Sequence, residues 1–155
     1  MITPRKARFG LDLGRAGVKL VRCQADTVTG AERRVDASLK GAALQNALVV
    51  AVREVAAELG VKPDDELNIA VPRAKAIVKR MTLPQVTANE LERMIRFQAS
   101  KSLPFDLDEV ALTWNAVGET DGLSGQSVMF AGVRQQVLDE LRAVVEGAGF
   151  TTGCV

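Results

Sequence analysis

The stretch LPQVTANELERMIRFQASKSLPF, residues 83–105, decides how the rest of the chain is read. Two Leu-Pro pairs bracket it, Leu83-Pro84 and Leu103-Pro104. Each proline disfavours a helical conformation at the residue before it. Thr87 stands where an N-cap is needed, and Glu90 follows three residues later, so a capping box is expected. The spacing then predicts a helix running to about Ser102. Leu91, Met94, Ile95, Ala99 and Ser102 recur on one helical face. Glu92, Arg93 and Arg96 fall opposite. Gln98 lies within the apolar stripe, and Phe97 projects to one side.

Composition narrows the function classes. A chain of 155 residues suits one domain or two small ones. A hydrophobic share of 47% with 25% charged residues is ordinary for a globular protein. The net charge of +1 provides no overall field to select nucleic acid or an anionic surface. Aromatics are scarce and tyrosine is absent, which argues against a base-stacking platform. With no histidine, Ser-His and Cys-His nucleophile pairs and His-ligated metals are excluded. Cys23 and Cys154 are too few for a zinc cage and read as idle thiols of a reducing compartment. The opening MITPRKARF lacks the apolar stretch of a secretory signal, and no apolar run reaches the roughly 18 residues that span a bilayer.

Working outward on the N-terminal side, residues 9–13 and 18–23 are two short apolar runs around a glycine-bounded turn, the pattern of a β-hairpin. Thr29-Gly30 offers a further turn, and residues 33–38 a weakly patterned third strand. Residues 42–59 predict a helix, with Leu44, Leu48, Ala51, Val52, Val55 and Leu59 at helical spacing and Gly60 as its stop. Residues 66–71 form a short strand that Pro72 ends. After Pro72 the expected order is a strand over 76–81, the quoted helix, a strand over 110–117 around Trp114, a turn-rich loop over 119–125, and a strand over 127–133. Residues 135–148 predict another helix, with Val137, Leu138, Leu141, Val144, Val145 and Ala148 on one face. Gly149 is expected to cap it, with Phe150 closing a Schellman contact. Residues 151–155 read as the start of one more strand. The simplest packing of this second part is two helices on one sheet.

Residues 10–19, GLDLGRAGVK, are the first stretch able to carry chemistry. A tight turn containing Gly14 and Gly17 lets backbone N–H groups approach phosphate oxygens, and Asp12 at a strand end can hold Mg²⁺ through water. The alternative is an ordinary hairpin that needs glycine for its backbone angles. The cluster Arg5, Lys6 and Arg8, the pair Arg33-Arg34 and the run 106–109 read as solvated charge. Asp106 and Asp108 lack the spacing and glycine of a calcium loop.

The order Leu-Pro, short turn, Glu-Leu-x-x-Met-Ile-x-Phe-Gln, Leu-Pro-Phe, then Asp106, Asp108 and Glu109, resembles the inserted subdomain of PilM-like proteins, the actin-like assembly proteins of type IV pili. The resemblance spans nearly the whole chain. It implies an α/β (α+β) fold: a partial ribonuclease-H/actin-like core of order βββαβ in residues 1–72, and an inserted β-α-β-β-α subdomain in residues 73–155. It implies that Asp12, Gly14, Arg15, Ala16, Gly17 and Lys19 correspond to the first phosphate-binding motif. The family usually carries small hydroxyl residues where this chain has Arg15, Ala16 and Gly17, so hydroxyl ligands are replaced by a cation. In the family the nucleotide lies between two domains, and the second is not encoded here. The chain therefore reads as the N-terminal portion of an actin-like protein, not an enzyme by itself, with no cofactor of its own. ATP and magnesium would belong to a full-length relative.

The resemblance also implies a partner, the short cytoplasmic tail of a PilN-like inner-membrane protein, held in a groove between core and inserted subdomain. It places that surface near Leu83, Pro84, Phe97, Gln98, Leu103, Pro104 and Phe105. Apolar anchors of the tail would fill the groove, and the Gln98 amide would fix register. The alternatives are that neighbouring backbone satisfies Gln98 and that Phe97 and Phe105 are plain core. The implied function is a cytoplasmic adaptor of the type IV pilus machine, peripheral to the inner membrane through its partner. The other readings are a fragment of an ATP-hydrolysing actin-like protein of the cell-division type, and a type II secretion cytoplasmic component. No nucleic-acid partner and no transmembrane segment are expected, and unpaired strand edges leave room for homo-oligomers.

Overall fold

The structure, a computed structural model, describes residues 7–117 and 125–155. The loop expected over 119–125 lies outside these residues except for Gly125, as do Arg5 and Lys6 of the basic cluster. In chain order the elements are β1 (Arg8–Gly14), β2 (Gly17–Gln24), β3 (Thr27–Arg34), α1 (Gly41–Glu58), β4 (Glu66–Ala70), β5 (Ala76–Leu83), α2 (Ala88–Ser102), β6 (Val110–Ala116), β7 (Gln126–Arg134), α3 (Gln135–Gly147) and β8 (Thr151–Thr152). Single 3₁₀ turns at Arg73–Lys75 and Leu107–Glu109 precede β5 and β6. The chain divides into two compact units, one of residues 1–72 with 138–155 and one of residues 73–137.

The first unit is built on a five-stranded sheet of order β3-β2-β1-β4-β8. The β1–β2 and β2–β3 pairs are antiparallel, and β1–β4 and β4–β8 are parallel. Alternation in sequence becomes one buried face: Phe9, Leu11 and Leu13 on β1, Val18 and Leu20 on β2, Leu67 and Ile69 on β4. Cross-strand partners Leu11↔Leu20 and Leu13↔Val18 align these side chains. α1 covers this face with Ala51, Val52, Val55 and Ala56, and α3 adds Val144, Val145 and Ala148 to the same core. The connections from β3 to β4 and from β4 to β8 step across the sheet in one direction, and right-handed crossovers then deliver both helices to one face. Both helices end in Schellman motifs. Gly60 and Gly149 have φ of 65° and 90°. Val61 N–H reaches Ala56 O at 2.9 Å, and Phe150 N–H reaches Val145 O at 3.1 Å. The strands and helix of residues 8–70 follow the βββαβ order expected for this part of the chain.

Two expectations change here. The third strand is not 33–38 but β3, Thr27–Arg34, because the chain turns at Ala25 and Asp26, with Ala25 at φ 51°. β3 is an edge strand whose only buried residue is Ala31, so it offers no apolar alternation to read. The assignment of all of residues 73–155 to the inserted subdomain also fails. Most of α3, and β8, belong to the first unit, where β8 pairs with β4 through Glu66↔Thr151 and Leu67↔Thr152. Helical periodicity tells which face of α3 is apolar, not which sheet receives it.

The second unit is a three-stranded antiparallel sheet of order β5-β7-β6. α2 is the helix that covers it, so two helices on one sheet is replaced by one. Leu91, Ile95 and Ala99 pack with Leu83, Leu103, Val128 and Phe130. The expected capping box is present: Glu90 N–H donates to Thr87 Oγ1 at 3.4 Å, and Thr87 N–H donates to Glu90 Oε2 at 3.0 Å. At the other end Lys79 Nζ donates to Ser102 O at 3.2 Å, satisfying a terminal carbonyl.

Candidate functional site

The β1–β2 hairpin brings Asp12, Gly14, Arg15, Ala16, Gly17 and Lys19 to one open concavity of about 500 Å³, together with Glu32, Arg33 and Arg34 of β3. Register explains the grouping. Asp12 lies opposite Lys19, and Lys19 opposite Glu32, so acid and base alternate across three strands. Arg33 is held by α1, with Nε 3.2 Å from Glu54 Oε2 and Nη2 2.7 Å from Glu58 Oε2. The hydrogen bond to Glu58, and then that carboxylate's charge, raise the guanidinium pKa. Gly17 is required by the sheet itself, since a Cβ there would lie 2.5 Å from Arg33 O. Ala16 O accepts the N–H of Val35 at 2.9 Å, fixing the turn.

Arg15 and Lys19 suit a phosphate, and Asp12 suits a hydrated magnesium ion. The donor set does not complete such a site, because the turn offers no hydroxyl and its tightest glycine serves strand packing. Among the described residues, no group of three or more Asp, Glu or Cys side chains is placed to hold a metal ion.

The seven residues of the Leu-Pro-Phe surface separate into two sets. Leu83 and Leu103 are buried in the core of the second unit, so their side chains present no contact surface. Pro84 and Pro104 are exposed, and Phe105 is half-buried with the Arg134 guanidinium 5.2 Å from its ring centre. Phe97 is 57% exposed, so it is surface and not core. The Lys101 ammonium sits 4.0 Å from the centre of its ring. Gln98 is half-buried, and its amide makes no hydrogen bond to another described residue. The reading in which neighbouring backbone satisfies Gln98 is therefore not the arrangement present.

A further concavity of about 500 Å³ lies between the N-terminal half of α1 and α3. Leu13, Leu44, Leu48, Leu141 and Val144 form its apolar wall, with Gln45 and Glu140 at the rim. Sequence reading placed Leu44, Leu48 and Leu141 on helical stripes and Leu13 on a strand but did not separate them from the core. The available signal is length. The apolar stripe of α1 begins at Leu44, whereas its fully buried residues begin at Ala51.

A family model for the type IV pilus assembly protein PilM matches residues 10–155. The chain belongs to the PilM family. Two solved structures extend this PilM-like likeness to the fold. The PilM–PilN type IV pilus biogenesis complex matches at TM-score 0.79 and 23% identity, over 98% of this chain and 47% of the other. The cytoplasmic domain of EpsL, an inner membrane component of the type II secretion system of Vibrio cholerae, matches at TM-score 0.65 and 15% identity, over 96% of this chain and 56% of the other. This PilM-family chain thus spans about half the length of the solved relatives it matches. No curated protein matches it. Among its described residues, no helix is long and apolar enough to cross a membrane.

Proposed function

We propose that this PilM-family chain is a docking component of the type IV pilus assembly machine, and that it holds the short cytoplasmic tail of a PilN-like inner-membrane protein. The observation that carries this reading is the apolar concavity between α1 and α3, where Leu44, Leu48 and Leu141 remain only half-buried. Its size suits one or two apolar side chains of an extended or helical peptide. The rim groups Gln45 and Glu140 would set orientation. The fold match to a structure containing PilN supports the choice of partner.

The test is fluorescence anisotropy with labelled synthetic tails of PilN-like proteins. Leu48→Glu and Leu141→Glu each place a carboxylate in the apolar wall and are expected to weaken binding at least about tenfold, or roughly 1.4 kcal/mol. Unchanged affinity in both variants, with unchanged circular dichroism, sinks the assignment.

A second reading keeps the tail on Pro84, Phe97, Gln98, Pro104 and Phe105. It is favoured by the exposure of Phe97 and the unpartnered amide of Gln98. Under it, Gln98→Leu and Phe97→Ala weaken tail binding while the two leucine variants do not.

A further inference from the structure

The outer face of α2 differs from the rest of a nearly neutral chain. Opposite its buried stripe the last turns present Arg93, Arg96, Phe97, Ser100 and Lys101, all exposed. Acidic residues on this helix are confined to its first half. Glu90 is engaged in the capping box, and Glu92 pairs with Arg96 at 3.0 Å. Lys79 of β5 brings a further cation to the C-terminal end of the helix. At the centre stands Phe97, 57% exposed, with the Lys101 ammonium over its ring. An exposed aromatic ring with an ammonium over it and two arginines on the same helix face is the chemistry of an interfacial contact. The ring enters the boundary between headgroup and acyl chain, and the cations meet lipid phosphates. A peptide partner would be held better by a groove, whereas Phe97 is 57% exposed.

We propose that the outer face of α2 rests on an anionic membrane surface, with Phe97 entering the headgroup layer and Arg93, Arg96 and Lys101 contacting lipid phosphates. Three cations and one ring give weak attachment alone. They gain effect once another contact holds the chain near the bilayer, because the second contact is then intramolecular. The proposal is compatible with a partner tail in the α1–α3 concavity and competes with the reading that places the tail on Phe97.

The experiment is co-sedimentation of the 155-residue chain with vesicles of phosphatidylcholine alone, or with about one-third phosphatidylglycerol. The chain is expected to sediment with the anionic vesicles only, and less so as salt rises. The double variant Arg93→Glu/Lys101→Glu is expected to lower the partition coefficient at least about 30-fold, since each basic contact carries roughly a fivefold effect. Phe97→Ser lowers it several-fold at unchanged helix content by circular dichroism. Lys40→Glu/Lys62→Glu, at exposed positions of the first unit, leaves it unchanged. Equal loss in that variant marks binding as nonspecific charge attraction and overturns the proposal. So does binding to soluble polyglutamate through Arg93 and Lys101 without binding to vesicles, which marks the face as a site for an acidic protein. Loss of PilN-like tail binding in Phe97→Ser, with vesicle binding kept, also overturns it and assigns the ring to the peptide.

Discussion

Helices α2 and α3 are close in length, both adjoin antiparallel strands, and both carry one apolar face, yet they end in different cores. α2 is buried by the sheet its own flanking strands form, with Leu91, Ile95 and Ala99 against Val128 and Phe130. α3 follows β7 directly but gives Val144, Val145 and Ala148 to a sheet whose first strand lies far earlier in the chain. The second unit is a continuous piece of chain with antiparallel pairing throughout. The first gathers separated pieces around parallel pairs, which need long crossovers. Local signals are enough for the former. The latter depends on a fit between a helix and a sheet that no local pattern carries.

The sharpest way to break this comparison is Val145→Asp. Val145 is fully buried, so the variant places an uncompensated carboxylate in the first core. The expected cost exceeds about 4 kcal/mol. Amide hydrogen exchange is expected to lose protection first in β1 and β4. First loss in β5 and β7 would return α3 to the inserted subdomain. The matching change in the other core, Ile95→Ala, leaves a cavity beside Phe130 and is expected to cost about 2–5 kcal/mol in urea denaturation, with protection lost first in β5 and β7.

The helix ends extend the contrast. α3 is closed by a long-range contact: Arg53 of α1 donates through Nη2 to Gly147 O at 2.6 Å and through Nε to Ala148 O at 3.3 Å. α2 is opened by a local one, the Thr87–Glu90 box. Arg53→Ala is expected to cost about 1–1.5 kcal/mol, since charged donors satisfy terminal carbonyls at an exposed site. Thr87→Ala is expected to cost about 1 kcal/mol, the usual worth of an N-cap hydroxyl. Thermal melts of the two variants check both. An Arg53→Ala protein as stable as the wild type would mean that α3 docks by its apolar face alone.

Legibility in the sequence follows the same division. The α2 block was readable to the residue, because prolines, cap and heptad-like spacing are all encoded within it. The β1–β2 hairpin and α1 were readable for the same reason, and Gly60 and Gly149 announced their left-handed caps. β3 was misplaced because an edge strand with one buried residue, Ala31, leaves no apolar alternation. The second helix of the insert was misassigned because amphipathicity names a face and no partner. Of the site residues, the six hairpin positions meet in one concavity because register is local. The seven positions of the Leu-Pro-Phe surface do not all reach solvent, since a leucine before a proline can as well end a core strand or helix as offer an anchor. The α1–α3 concavity was hidden because it depends on where α3 lands.

The smallest expected effect isolates the local side of the comparison through pH. Hydrogen bonds from the Thr87 hydroxyl, and then from the Thr87 N–H, hold the Glu90 carboxyl below its ordinary pKa. The unfolded chain therefore binds the proton more readily than the folded one. The box contributes fully above the unfolded carboxylate value of about 4.3, and its contribution is lost as pH falls through the lower folded value. Asp36 is lowered in the same direction by the N–H and then the hydroxyl of Ser38, so acid weakens the wild type at more than one place. Glu90→Gln retains an acceptor for Thr87 but cannot titrate. Between about pH 5 and about pH 3 its stability should fall less steeply than that of the wild type, and the remaining slope belongs to Asp36 and the other carboxylates. Thr87→Ala should show a slope between the two, because Glu90 loses the hydroxyl's hydrogen bond and keeps that of the N–H at residue 87. Identical slopes in all three proteins would mean that the box persists with a neutral carboxyl. The start of α2 would then rest on Thr87 alone, and the local encoding of this helix would be one hydroxyl rather than a reciprocal pair.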